Sequence, residues 1–102
     1  MQKIAINTDF GGFSLSDEAI DLYKILTGIP PVDEVNYWEI ARDNVVLVQI
    51  IEQLGDRANG YGATIQIVEV PDDVEWHLSE YDGIEWVAEN HRTWSKRNDA
   101  QL

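Results

Sequence analysis

A chain of 102 residues with 44% hydrophobic residues and four tryptophans has the apolar content for one compact domain, which excludes wholesale disorder and leaves no room for a separate cofactor-binding lobe. A formal net charge of −12 opposes binding to duplex nucleic acid and to anionic membranes, and favours basic partners. The absence of cysteine excludes disulfides and thiolate metal sites, and no signal peptide or apolar run of membrane-spanning length is visible, so a cytoplasmic setting is expected.

Residues 3–7, KIAIN, predict a short first strand with Ile4 and Ile6 on one face, closed by the turn formers Asn7, Thr8 and Asp9. Gly11 and Gly12 then free the backbone to bend. Ser16 is placed as the N-cap of a helix, with Asp17 and Glu18 in its first turn and Leu15 able to staple against Ile20. Ala19, Leu22, Tyr23 and Leu26 form its apolar stripe, and Gly28 followed by Pro30-Pro31 stops it. Residues 29–42 read as a connector lying against the core, with an aromatic pair, Tyr37-Trp38, and an isolated cation, Arg42. Asp43 or Asn44 caps a second helix that buries Leu47, Ile50, Ile51 and Leu54 and ends at Gly55. Val45, Val46 and Val48 are β-branched and suit a strand, but the polar face of Gln49, Glu52 and Gln53 favours helix. Residues 55–63 are a glycine-rich loop.

From Thr64 the apolar period changes to two. TIQIVEV is a strand, Pro71-Asp72-Asp73 turns it, and EWHLSEY and IEWVAE flank Asp82-Gly83 as a hairpin. A two-residue turn there sets Tyr81 opposite Ile84, Glu80 opposite Glu85, Ser79 opposite Trp86 and Leu78 opposite Val87. One face then carries His77, Ser79, Tyr81, Ile84, Trp86 and Ala88, and the other Trp76, Leu78, Glu80, Glu85, Val87 and Glu89. The order β-α-α-β-β-β predicts an α+β fold with two helices on one face of a small antiparallel-rich sheet. Residues 1–94 form the single domain, and 95–102 read as a loose C-terminal tail.

Three features are candidate sites. The glycine elbow Phe10, Gly11, Gly12, Phe13 and Ser14 precedes a helix N-terminus, a place that can receive an anion. It lacks phosphate-loop spacing and a following lysine, however, and Asp9, Asp17 and Glu18 stand where phosphate charge would sit, so turn and cap chemistry accounts for it. A neutral, base-like ligand stacking on Phe10 and Phe13 is the functional alternative. The second feature is Glu80 facing Glu85: like charges across a hairpin need a proton, a metal or an arginine. Arg42 or Arg92 could pair with them, His77, His91 and Glu89 are the further metal candidates, and recognition of a partner is the third reading. The third is the aromatic content. Trp76 and Trp86 fall on opposite hairpin faces, so one of them is expected to be exposed, amid carboxylates, while Trp38 and Trp94 are expected in the core. No nucleophile elbow, triad, metal-ligand spacing or cofactor motif occurs, which points to a protein that is not an enzyme.

The stretches NTDFGGFSLSDEAI, RDNVVLVQIIEQLG, TIQIVEVPDDVEW and EYDGIEWVAENHRTW, in this order, resemble a family of small proteins encoded by bacteriophages and some bacteria. The likeness runs nearly to Trp94 and includes Phe10–Ser14, Arg42, Tyr81, Asp82, Gly83 and Arg92. It implies a phage-type accessory protein acting inside a bacterial cell and supplies no catalytic residues. Eight acids and no Lys or Arg between Glu69 and Glu89 add the expectation of an acidic surface, including Glu80, Asp82, Glu85 and Glu89, that engages a basic host protein such as a defence or nucleic-acid-handling factor. The alternative is an oligomer that sequesters a nucleotide signal between Phe10–Ser14, Arg42 and Arg92.

Overall fold

The computed structural model describes residues 1–90. The segment from His91 onward, including Arg92, Trp94 and the expected tail, lies outside the described residues, as does any part Arg92 plays at a site. The described elements are β1 (Gln2–Asn7), α1 (Asp17–Thr27), α2 (Val45–Leu54), β2 (Ile65–Val70), β3 (Trp76–Tyr81) and β4 (Ile84–Glu89), an α+β fold in the expected order. Single 3-10 turns at Tyr37–Glu39 and Gly55–Ala58 interrupt the connector and the glycine-rich loop.

The helices end where local chemistry stops them. Ser16 Oγ accepts the Ala19 amide at 3.1 Å, and Gly28 closes α1 in the left-handed region at φ 79°. Asn44, rather than Asp43, caps α2 by accepting the amides of Val46 and Leu47. α2 buries Leu47, Ile50, Ile51 and Leu54 and also Val48, and it packs on both β1 and β2. The main core cluster is Ala5, Leu15, Ala19, the α2 stripe, Ala58, Ala63 and Ile65, with Leu22 and Tyr23 of α1 packed partly against it, and Ile4, Ile6 and Val48 are buried as well. Leu26 does not join them: α1 leaves the core in its last turn, so Leu26 and Ile25 face solvent.

The strands form two antiparallel pairs, β1 with β2 and β3 with β4. The hairpin has the register set by its two-residue turn, Tyr81 opposite Ile84 through Trp76 opposite Glu89, and both turn residues take positive φ, 54° at Asp82 and 91° at Gly83. β4 is the hairpin strand beside β1, but no continuous ladder joins them. The outer edge of β1 is met instead by other groups: the Ala5 amide donates to the Arg42 carbonyl at 2.8 Å, and the Asn7 amide to the Glu85 carboxylate at 2.8 Å. This is why the sheet divides in two.

Candidate functional site: the clasp and the hairpin face

Three loops converge at the end of β1. Residues 11–16 run antiparallel to 58–62, through Gly11 N–H to the Gly62 carbonyl at 3.0 Å, Gly60 N–H to the Ser14 carbonyl at 2.9 Å and Ser16 N–H to the Ala58 carbonyl at 2.9 Å. The hairpin turn then seats on the elbow from the other side. A Cβ at Gly83 would overlap the Phe10 carbonyl, and one at Gly11 would overlap the Gly62 carbonyl. Only hydrogen at these two positions allows the backbones to approach so closely. Gly11→Ala is therefore expected to cost about 1–3 kcal/mol, the usual range for forcing atoms into a filled space, read as a lowered thermal midpoint.

Asn7 ties the three loops together. It is fully buried, and its side-chain amide donates to the Asp9 carbonyl at 2.6 Å and to the Gly83 carbonyl at 2.8 Å. Its Oδ1 accepts the amides of Thr64 at 2.9 Å and Asp9 at 3.2 Å. Every hydrogen-bonding direction of the side chain is used. Local sequence assigns Asn7 only to a turn; its burial follows from its sharing the Ala5 face of β1, which the apolar rhythm of Ile4 and Ile6 does not mark.

The Glu80–Glu85 conflict is resolved by separating the two carboxylates. Arg42 grips Glu85 in a bidentate pair, Nη1 on Oε1 and Nη2 on Oε2, the latter at 2.9 Å. Both side chains are nearly enclosed, 14% and 10% exposed. Glu80 curls back instead to accept the Gly83 amide at 2.6 Å. The guanidinium also lies over the Phe13 ring, 3.7 Å from its centroid, and Phe13 leans on Tyr37. Tyr37 thus packs inward as expected, but Trp38 does not: it stacks edge-on against Tyr37 and remains 63% exposed, because a one-turn helix can bury only one of two adjacent rings.

The elbow is committed within the protein. The Phe10 amide bonds the carboxylate of its neighbour Asp9 and the Gly11 amide bonds Gly62, so these donors do not face an open site. Phe10 is exposed, Phe13 has Arg42 over its face, and Ser14 Oγ donates to the Tyr61 carbonyl at 3.4 Å. Among the described residues no group of three or more metal-ligating side chains occurs. His77 is exposed on the hairpin and its Nδ1 contacts Asn90 Oδ1, apart from Glu89.

The hairpin itself is sparsely covered. No residue of β3 or β4 is buried, and neither helix makes an extensive contact with them. Trp76 is half-buried and its indole N–H donates to Gln2 at 3.0 Å, while Trp86 is the exposed indole at 46%. Trp86 lies on the face with His77, Ser79, Tyr81, Ile84 and Ala88, so the strand residues around it carry no carboxylate, contrary to the expectation of an indole amid acids. Alternation places Glu80, Glu85 and Glu89 on the opposite face with Trp76. Acids still frame the hairpin at its ends and margins: Asp73, Glu75, Glu80, Asp82 and Glu89 are exposed and have no cationic partner among the described residues.

The described cations are spent elsewhere. Lys3 pairs with Glu52, which raises its pKa by hydrogen bond and charge, and Arg57 pairs with Glu18, whose pKa the guanidinium lowers by its hydrogen bond. Lys24 donates to the Pro31 carbonyl. No helix among the described residues is long and apolar enough to cross a membrane. No protein-family model matches the sequence, and no curated protein or solved structure gives a significant match.

Proposed function

We propose that the protein is a non-catalytic accessory binding protein of bacteriophage type, acting in the bacterial cytoplasm, whose acidic surface engages or inhibits a basic host protein. The supporting observation is the hairpin: a solvent-facing strip with Tyr81 76% exposed and Trp86 46% exposed, framed by carboxylates that no described cation neutralises. Aromatic side chains supply area at low entropic cost, and the surrounding acids select partners of opposite charge and speed encounter. Glu85 takes no direct part in this surface because Arg42 holds it. The clasp gives the hairpin a fixed angle, so binding need not order it first.

The small-ligand alternative, a nucleotide held by Phe10–Ser14 with Arg42, draws less from the geometry, since Arg42 is neutralised by Glu85 and the elbow amides of Phe10 and Gly11 are bonded internally. The test is to purify the host protein that cross-links to this chain and to titrate the purified pair across ionic strength. Affinity is expected to fall at least about tenfold from low to high salt, and Trp86→Ala to weaken it by about as much. A partner without a basic surface, or affinity indifferent to salt, counts against the proposal.

A further inference from the structure

β3 is an open sheet edge. The Asn90 amide donates to the Glu75 carbonyl at 2.8 Å, and in an antiparallel pair the bonded residues alternate, so the exchanging pairs are His77/Ala88, Ser79/Trp86 and Tyr81/Ile84. The backbone groups of Trp76, Leu78 and Glu80 therefore point away from β4, and among the described residues no strand receives them. Few of the devices that blunt such edges are present: β3 contains no Lys, no Pro and no bulge, and its one charged residue is Glu80. The hairpin has no buried residue and no third strand on its β3 side among the described residues, so an added strand would enlarge a sheet that only its contacts with β1 and the elbow now support.

We infer that β3 pairs antiparallel with β3 of a second copy of this chain, about a twofold axis at Leu78. This register pairs all three outward-pointing residues, Leu78 with itself and Trp76 with Glu80 in both directions. It keeps each Glu80 away from its own copy, which an axis at Glu80 would not, and it sets His77 opposite Ser79. A symmetric pair of edges closes on itself, giving a four-stranded antiparallel sheet β4-β3-β3-β4 and no open polymer. The uncharged faces of the two hairpins then join into one surface carrying Tyr81 and Trp86 twice.

This inference is independent of the basic-partner reading, and salt separates the two. Two copies of net charge −12 repel, so screening tightens the dimer, whereas screening weakens contact with a basic partner. Sedimentation equilibrium of the full chain is expected to show a reversible dimer that strengthens as salt rises. His77→Asp/Ser79→Asp sets two pairs of like charges across the axis and should weaken dimerisation about tenfold, whereas His77→Lys/Ser79→Asp sets opposite charges at the same two places and should restore it to within about threefold of the natural chain. Far-UV circular dichroism checks that both variants fold, and the salt series on the natural chain stands without them. A monomer at every concentration and salt, a dimer that weakens with salt, or two double variants that shift the equilibrium alike would overturn the inference.

Discussion

Arg42→Ala is expected to lower the unfolding free energy by about 3–5 kcal/mol, measured by urea denaturation, because it leaves the Glu85 carboxylate nearly enclosed without its counter-charge. The loss is larger than for an ordinary surface pair because Arg42 acts at four points. Its guanidinium holds both Glu85 oxygens, lies over Phe13 and reaches the Ala5 carbonyl at 3.4 Å. Its own carbonyl accepts the Ala5 amide, a bond the substitution leaves in place. The double change Arg42→Met/Glu85→Leu removes both charges together and should recover part of the loss, since no desolvated charge is left; the remainder is the Asn7 amide, which loses the Glu85 carboxylate as its acceptor. Phe13→Leu, which removes only the ring beneath the guanidinium, should cost far less. If Arg42→Ala changed stability by under about 1 kcal/mol, the pair would behave as an exposed one and could not be what fixes the hairpin.

Elements defined by neighbouring residues are legible in the sequence. Ser16, Asn44, Gly28 and Gly55 mark the helix ends through caps and stops, and Asp82-Gly83 fixes the hairpin register residue by residue. The charge conflict at Glu80–Glu85 is also legible, but its resolution is not: an arginine, a metal or a partner would each answer it, and Arg42, which pairs with Glu85, is one of two arginine candidates. What stays hidden in the sequence depends on contacts between distant segments. Nothing near Asn7 shows that Gly83 and Thr64 will come to it, and the glycines at 11, 62 and 83 read as loop formers until their backbones are seen touching. Alternation alone separates Trp76 from Trp86 but does not say which side meets β1; Gln2 decides that by accepting the Trp76 indole. The same choice puts the hairpin acids on the side away from the exposed ring.

The clasp holds the hairpin to the end of β1, and Asn7 is where that hold is most open to test. Asn7→Leu keeps the branching and the number of heavy atoms of the side chain but removes four hydrogen bonds at once, orphaning the amides of Asp9 and Thr64 and the carbonyls of Asp9 and Gly83 in a part-buried place. With about 1–3 kcal/mol for each unsatisfied buried group and partial relief by relaxation, the expected loss is at least about 3 kcal/mol. Asn7→Asp should be nearly as costly, because its second oxygen would confront two carbonyls where the amide donated, close to the Glu85 carboxylate. Hydrogen exchange then locates the damage. α2 packs on β1 and β2 through Leu47, Ile50 and Ile51 and keeps its protection, whereas β3, β4 and the Phe10–Gly12 elbow, which depend on the clasp rather than on the core, should lose theirs. Uniform loss of protection throughout the chain would mean that hairpin and core unfold as one unit, and that Asn7 supports the whole fold rather than the placement of the hairpin.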